Sequence, residues 1–104
     1  MHKLVIMFRN PTDVLEMETK WSEAFVPVAE KMPGLKRVSV TRVIGGPMGN
    51  VDLHLIHEFY FEDVESLRMA MSSPEGQSAG QALMSFASEY ATLYFAEHLE
   101  EDRA

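Results

Sequence analysis

This sequence predicts an α+β fold, with one four-stranded antiparallel sheet and its helices gathered on one side. Three observations carry that prediction. Four stretches rich in branched and aromatic residues read as strands, amphipathic helical segments separate the first from the second and the third from the fourth, and the link between the middle two has turn composition.

The first strand is HKLVIMF, His2 to Phe8, closed by Arg9-Asn10-Pro11. Thr12 or Asp13 can then cap a helix, with Glu16 placed to complete a capping box. Val14, Met17, Trp21, Phe25, Val28 and Met32 step by three or four and form its apolar stripe. Pro27 removes one backbone donor and frees the carbonyl of Glu23, which predicts a kink or break near Phe25 and Val26. Pro33-Gly34 ends the helix.

Leu35 to Ile44 alternates as a second strand, with Val38 and Val40 on one parity and Arg37, Ser39 and Thr41 on the other. Gly45-Gly46-Pro47-Met48-Gly49-Asn50 reads as a flexible hairpin connection; it precedes no helix and lacks the lysine of a phosphate-cradling loop. Val51 to Phe61, VDLHLIHEFYF, is the central strand. Leu53, Leu55, His57, Phe59 and Phe61 share its greasy face, and Asp52, His54, Ile56, Glu58 and Tyr60 share the other. Glu62-Asp63 opens a short helix with Val64, Leu67 and Met71 apolar. Ser73 and Pro74 open the next, whose stripe is Ala79, Leu83, Phe86 and Tyr90. ATLYFAE, Ala91 to Glu97, is the last strand. Residues 1–97 thus form one domain, and 98–104 a charged tail expected to be mobile.

Strand, helix, strand, strand, helix, strand is the order of a ferredoxin-like βαββαβ subunit. Its later strands carry apolar residues on both parities, so the face without helices needs cover, and a second copy is the simplest source. Nine basic residues against 16 acidic, a net charge of -7, disfavour nucleic acid and an anionic membrane surface. There is no apolar run of 18 residues, and the apolar core after Met1 is too short for a signal peptide, so a cytoplasmic location is expected. Zero cysteines exclude disulfides, thiolate metal sites and thiol nucleophiles.

The segments KLVIMF, PVAEKMPGLKRVSVTRVIGGP, HLIHEFYFEDVESL and SSPEGQSAGQALMSFAS resemble, in that order, the EthD family, named for ethyl tert-butyl ether degradation. The resemblance runs nearly end to end. It implies a dimeric α+β barrel and a place beside oxidative small-molecule catabolism, without a settled shared reaction. Related barrels include small monooxygenases, isomerases and cyclases, among which fold cannot choose. In the family, the first helix usually carries a histidine two residues before its proline; here Phe25 stands there. The parity of His57 places it with Leu55 and Phe59, on the face where Phe25 and Trp21 are also expected to point, so the imidazole reads as moved from helix to strand within one pocket.

His57 is accordingly the first candidate acid or base and His54 the second. Trp21, Phe25, Phe59 and Glu58 are the candidate contacts for a small apolar or aromatic ligand. Against this, a lone strand histidine is commonly a satisfied core residue, and Glu58 reads equally as a structural ion pair. One hairpin register would face Arg37 to Glu58 and Thr41 to His54. His54 and His57 have opposite parity and cannot share an ion, so neither metal nor cofactor is expected. No GxSxG elbow and no glycosidase-like carboxylate pair is present.

Overall fold

The computed structural model describes residues 1–103. The elements are β1 (His2–Phe8), α1 (Val14–Lys20), a π-helical stretch (Trp21–Phe25), α2 (Val26–Ala29), β2 (Arg37–Arg42), β3 (Leu55–Phe61), α3 (Val64–Ser72), α4 (Pro74–Ala87) and β4 (Ala91–Glu97). The strands form one sheet in the order β2-β3-β1-β4, with every neighbouring pair antiparallel. This is the ferredoxin-like α+β arrangement that the element order implies. The molecule is a slab of 41 × 38 × 18 Å, thick enough for one helical layer on one sheet, so the other sheet face has no helices over it.

Asp13 caps α1, its Oδ1 accepting from the Glu16 amide at 3.0 Å. The Glu16 side chain does not close a reciprocal box; it pairs with Lys20 at 3.0 Å. The break expected at Pro27 takes a specific form. The helix widens over Trp21–Phe25, and the Val26 amide reaches back to the Trp21 carbonyl, five residues away. Proline has no N–H to return to Glu23, and a wider turn re-registers the chain around that gap. The inserted residue shifts the buried stripe to Met17, Trp21, Phe25, Ala29 and Met32. Ala29 therefore occupies the buried place expected for Val28, and Val14 is exposed at the first turn.

β3 is shorter than the alternation suggests. It begins at Leu55, and residues 43–54 form the connection, with Gly46 and Gly49 bridged at its tip. Asn10 pins the returning arm: its amide donates to Asp52 Oδ1 at 3.0 Å and its side chain to the Val51 carbonyl at 2.9 Å. The β2–β3 register also differs from the expected one by two residues. Arg37 faces Tyr60, Ser39 faces Glu58 and Thr41 faces Ile56. The longer connection, which the glycines do not fix in length, sets this register.

Asp63 caps α3 and Ser73 caps α4, as their spacing predicts. The buried side of α4 is Gly76, Ala79, Leu83 and Ala87, with Phe86 and Tyr90 only partly buried. A Cβ on Gly76 would lie 2.1 Å from the Ala70 carbonyl, so the α3–α4 corner requires glycine there. The core lies between the helices and Leu4, Ile6, Phe8, Leu55, Phe59 and Phe61. On the bare face Val5 and Tyr60 are nevertheless buried. Arg37 lies over the Tyr60 ring at 4.3 Å and the His98 ring meets its edge at 4.8 Å. The start of the tail is held there: the His98 amide donates to the Met1 carbonyl at 2.8 Å, and Glu100 pairs with Arg37 at 3.0 Å. Ala104, last residue of the expected tail, lies outside the described residues.

Candidate functional site

His57 is the one buried polar or charged residue among those described, 1% exposed in the middle of β3. β1 lies on one side of it, with Ile6 opposite, and β2 on the other, with Val40 opposite. The π-helical stretch lies above. A π turn closes after five residues, so Trp21 and Phe25, four apart, come almost into line and both face the imidazole. The ring centroids lie 5.4 Å (Trp21), 5.8 Å (Phe25) and 4.2 Å (Phe59) from that of His57, the first two edge-on. Phe25 also meets Phe59 edge-on at 6.0 Å. Positions 25 and 57 thus touch on one side of the sheet, as parity predicts.

The Trp21 indole N–H donates to His57 Nδ1 at 3.1 Å. An indole nitrogen can only donate, so Nδ1 carries the lone pair and the neutral ring keeps its proton on Nε2. That Nε2 is buried and has no partner. Burial also disfavours the imidazolium and lowers the His57 pKa from 6.5 to about 4, so the ring is neutral near pH 7. The result is an uncharged N–H donor, unpaired, inside an aromatic shell. Trp21 had a recognisable sequence signal for this role, since a buried indole requires an acceptor and few lie on the helix-facing strand positions.

A polar cluster stands beside this shell. Arg42 grips Glu18 of α1 through two hydrogen bonds, 2.7 and 3.2 Å, and its guanidinium carbon lies 5.6 Å from the Trp21 ring. His54 Nε2 lies 2.8 Å from the same carboxylate. The Arg42 hydrogen bond, with help from His54 and against burial, holds Glu18 below the usual carboxylate range. His54 precedes β3, where strand alternation does not apply, and so reaches α1 on the helical side. The expected Thr41 partner is replaced by Glu18. Sequence reasoning missed Glu18 and Arg42; Glu18 lies one helical turn before Trp21, and Arg42 has the parity of Val38 and Val40.

Glu58 is on the other face of the sheet from Trp21, Phe25, Phe59 and His57. Lys3 Nζ lies 2.9 Å from its Oε1, and Ser39 Oγ and Tyr60 OH each donate to its Oε2 at 3.0 Å. Burial works to raise this carboxyl, but the bonds from Lys3, Tyr60 and Ser39 outweigh it and leave it lowered. The ion-pair partner is Lys3 of β1, not Arg37, because of the two-residue register difference.

Beside Phe25, between α2, α4 and the sheet, is a small apolar hole of about 20 Å³, lined by Leu4, Ile6, Phe25, Met32, Met71 and Leu83 among others. It holds about one water's volume. Phe25 and Ile6 border both the hole and His57. No group of three or more metal-ligating side chains occurs among the described residues, and no helix there is long and apolar enough to cross a membrane.

No family model matches the chain. It is 26% identical over 95 residues to an uncharacterised 11.0 kDa protein of the thcB-thcC intergenic region in Rhodococcus erythropolis, covering 91% of this chain and 92% of that one. At fold level, it superposes on a dimeric protein of unknown function from Bacteroides fragilis with a TM-score of 0.64 and 17% identity, covering 93% and 95% of the two chains. For a variant of SnoaB, a cofactor-independent oxygenase from Streptomyces nogalater, the values are 0.68 and 15%, with 96% and 94% covered. These two identities carry architecture alone. An ethyl tert-butyl ether degradation family protein from Bacillus halodurans stands much nearer, with a TM-score of 0.92 and 35% identity over 95% of this chain and 99% of the other. The chain belongs to the ethyl tert-butyl ether degradation (EthD) family.

Proposed function

We propose that this protein binds a small apolar or aromatic molecule between the π-helical stretch and the sheet, as a cytoplasmic homodimer accessory to oxidative small-molecule catabolism. The observation that carries the binding reading is His57: a fully buried N–H left without an acceptor, surrounded by Trp21, Phe25 and Phe59. A buried donor without a partner costs about 1–3 kcal/mol, and a ligand acceptor would offset that cost. The hole beside Phe25 is the space that would grow, because Met32 and Met71 in its wall repack readily. The dimer reading is supported by the helix-free sheet face, with Tyr94 exposed on it, and by the dimeric fold relative. The catabolic role rests on family membership.

A second reading, an enzyme of the barrel superfamily with His57 or His54 as acid or base, is compatible with the fold shared with the oxygenase, which by itself chooses no reaction. The geometry weighs against His57 as a base: its one free position carries a proton, and its lone pair is engaged by Trp21. His54 makes its contact with Glu18 instead of the aromatic shell.

Native mass spectrometry of the purified protein tests the assembly and the cargo together. A dimer carrying a small adduct that is lost on denaturation is the expected result; a dominant monomer overturns the assembly. Ligand entry is followed in the same protein through Trp21, the single tryptophan. Titration with small aromatic compounds should change its fluorescence, and Phe25→Ala, which would join the hole to His57, should strengthen that binding.

A further inference from the structure

We infer that the ligand bound at His57 is a neutral molecule with a hydrogen-bond acceptor and no donor, a ketone on an apolar or aromatic body, and that His57 Nε2–H holds its oxygen. The inference rests on the binding reading above and deepens it by naming the ligand class.

Its basis is the count of donors and acceptors in the shell. Trp21 Nε1–H is spent on His57 Nδ1, which fixes the tautomer and leaves Nε2–H as the free polar group. The residues around it, Phe25, Phe59, Ile6 and Val40, have apolar side chains. A ligand oxygen can therefore accept one hydrogen bond, while a ligand hydroxyl or amine would find no side-chain acceptor in this shell for its own proton. A carboxylate fares worse. The nearest cation described above, Arg42, lies beyond Trp21 and is already bound to Glu18 on two atoms, so a buried anion would lack a counter-charge.

Three probes of similar size and different polarity separate the classes: acetophenone, which only accepts; ethylbenzene, which does neither; and benzoate, which is charged. Binding is measured by Trp21 fluorescence and calorimetry on the full chain. Acetophenone is expected to bind roughly three- to tenfold more tightly than ethylbenzene, the effect of one buried hydrogen bond, with benzoate weakest. In His57→Phe that preference should vanish while ethylbenzene still binds. Equal affinity of acetophenone and ethylbenzene, or tightest binding of benzoate, overturns the ligand class and leaves the apolar pocket standing. Binding of none of the three overturns the pocket reading and the inference with it. Nitrogen-15 NMR of the histidines gives a readout independent of any ligand and of whether His57→Phe folds. A proton on Nε2 and none on Nδ1 of His57 is expected, and the reverse tautomer overturns the inference.

Discussion

The helical face of the sheet holds the one histidine of β3, His57, and the other face its one carboxylate, Glu58, and their surroundings are opposite. Glu58 lies in a cluster that supplies three donors, from Lys3, Ser39 and Tyr60, and both of its oxygens are engaged. His57 lies among aromatic rings with one nitrogen engaged and one not. A carboxylate so fully partnered has no bonding capacity left to offer a ligand, and it describes architecture. A buried donor with capacity left over still has one hydrogen bond to give, and the proposed ligand site rests on that difference. Adjacent residues of one strand thus carry different meanings because the pleat sends them to different sides.

The largest expected effect tests the aromatic side. Phe59→Ala removes a ring that packs on both His57 and Phe25, and should cost about 3–5 kcal/mol in urea unfolding. A loss below about 1 kcal/mol would mean that this shell is not a packed core.

Acid titration separates the two faces by pH window. The His57 pKa is about 4 in the fold and 6.5 unfolded, so below 6.5 the unfolded chain binds a proton that the native one does not. Stability should fall by about 3 kcal/mol as pH drops from 6.5 to about 4, and then level off with respect to this group. The Glu58 carboxyl is lowered from 4.5, so its contribution is present above that pH and is lost only as pH falls below it. Unfolding measured at pH 7.5 and 5 should show the first slope in the wild type and not in His57→Phe; an equal slope in both would assign it elsewhere.

On the polar side, Glu58→Gln keeps a hydrogen-bonding group but leaves Lys3 without its counter-charge, and should cost about 1–2 kcal/mol. A double-mutant cycle with Lys3→Met would isolate the pair, and a coupling near zero would assign the loss to Ser39 and Tyr60 instead. The smallest expected effect is Arg42→Gln. The Arg42–Glu18 pair is largely exposed on the arginine side, so stability should change by about 0.5 kcal/mol or less. The Trp21 emission should shift all the same, because the guanidinium beside the indole is removed; unchanged emission would show that the cluster does not reach the aromatic shell.

Much of this was legible in the chain. Period-two alternation placed His57 with Phe59 and opposite Glu58, period-four spacing aimed Trp21 and Phe25 at the same face, and Pro27 located the helix break. Legibility failed where local pattern stops being the deciding force. Helical spacing predicts Val28 in the stripe, but the π turn moves the buried place to Ala29, since one inserted residue changes the phase of everything after it. Glu58 does not join the aromatic contacts expected beside it: its parity opposes theirs, and the structure puts the sheet between them.

By itself, the sequence determined the order of elements, the caps at Asp63 and Ser73 and the face on which each residue from Leu55 to Phe61 stands, because those follow from backbone geometry within a few residues. Only the tertiary structure decided the β2–β3 register, the partner of Glu58 and the reach of His54 to Glu18. These depend on where two distant segments meet, and the connection between the hairpin strands leaves that meeting free until packing fixes it. The bond from Trp21 to His57 is of the same kind. Each residue announced its side of the sheet, but the unpaired nitrogen that makes the pair a candidate site exists only once the two are in contact.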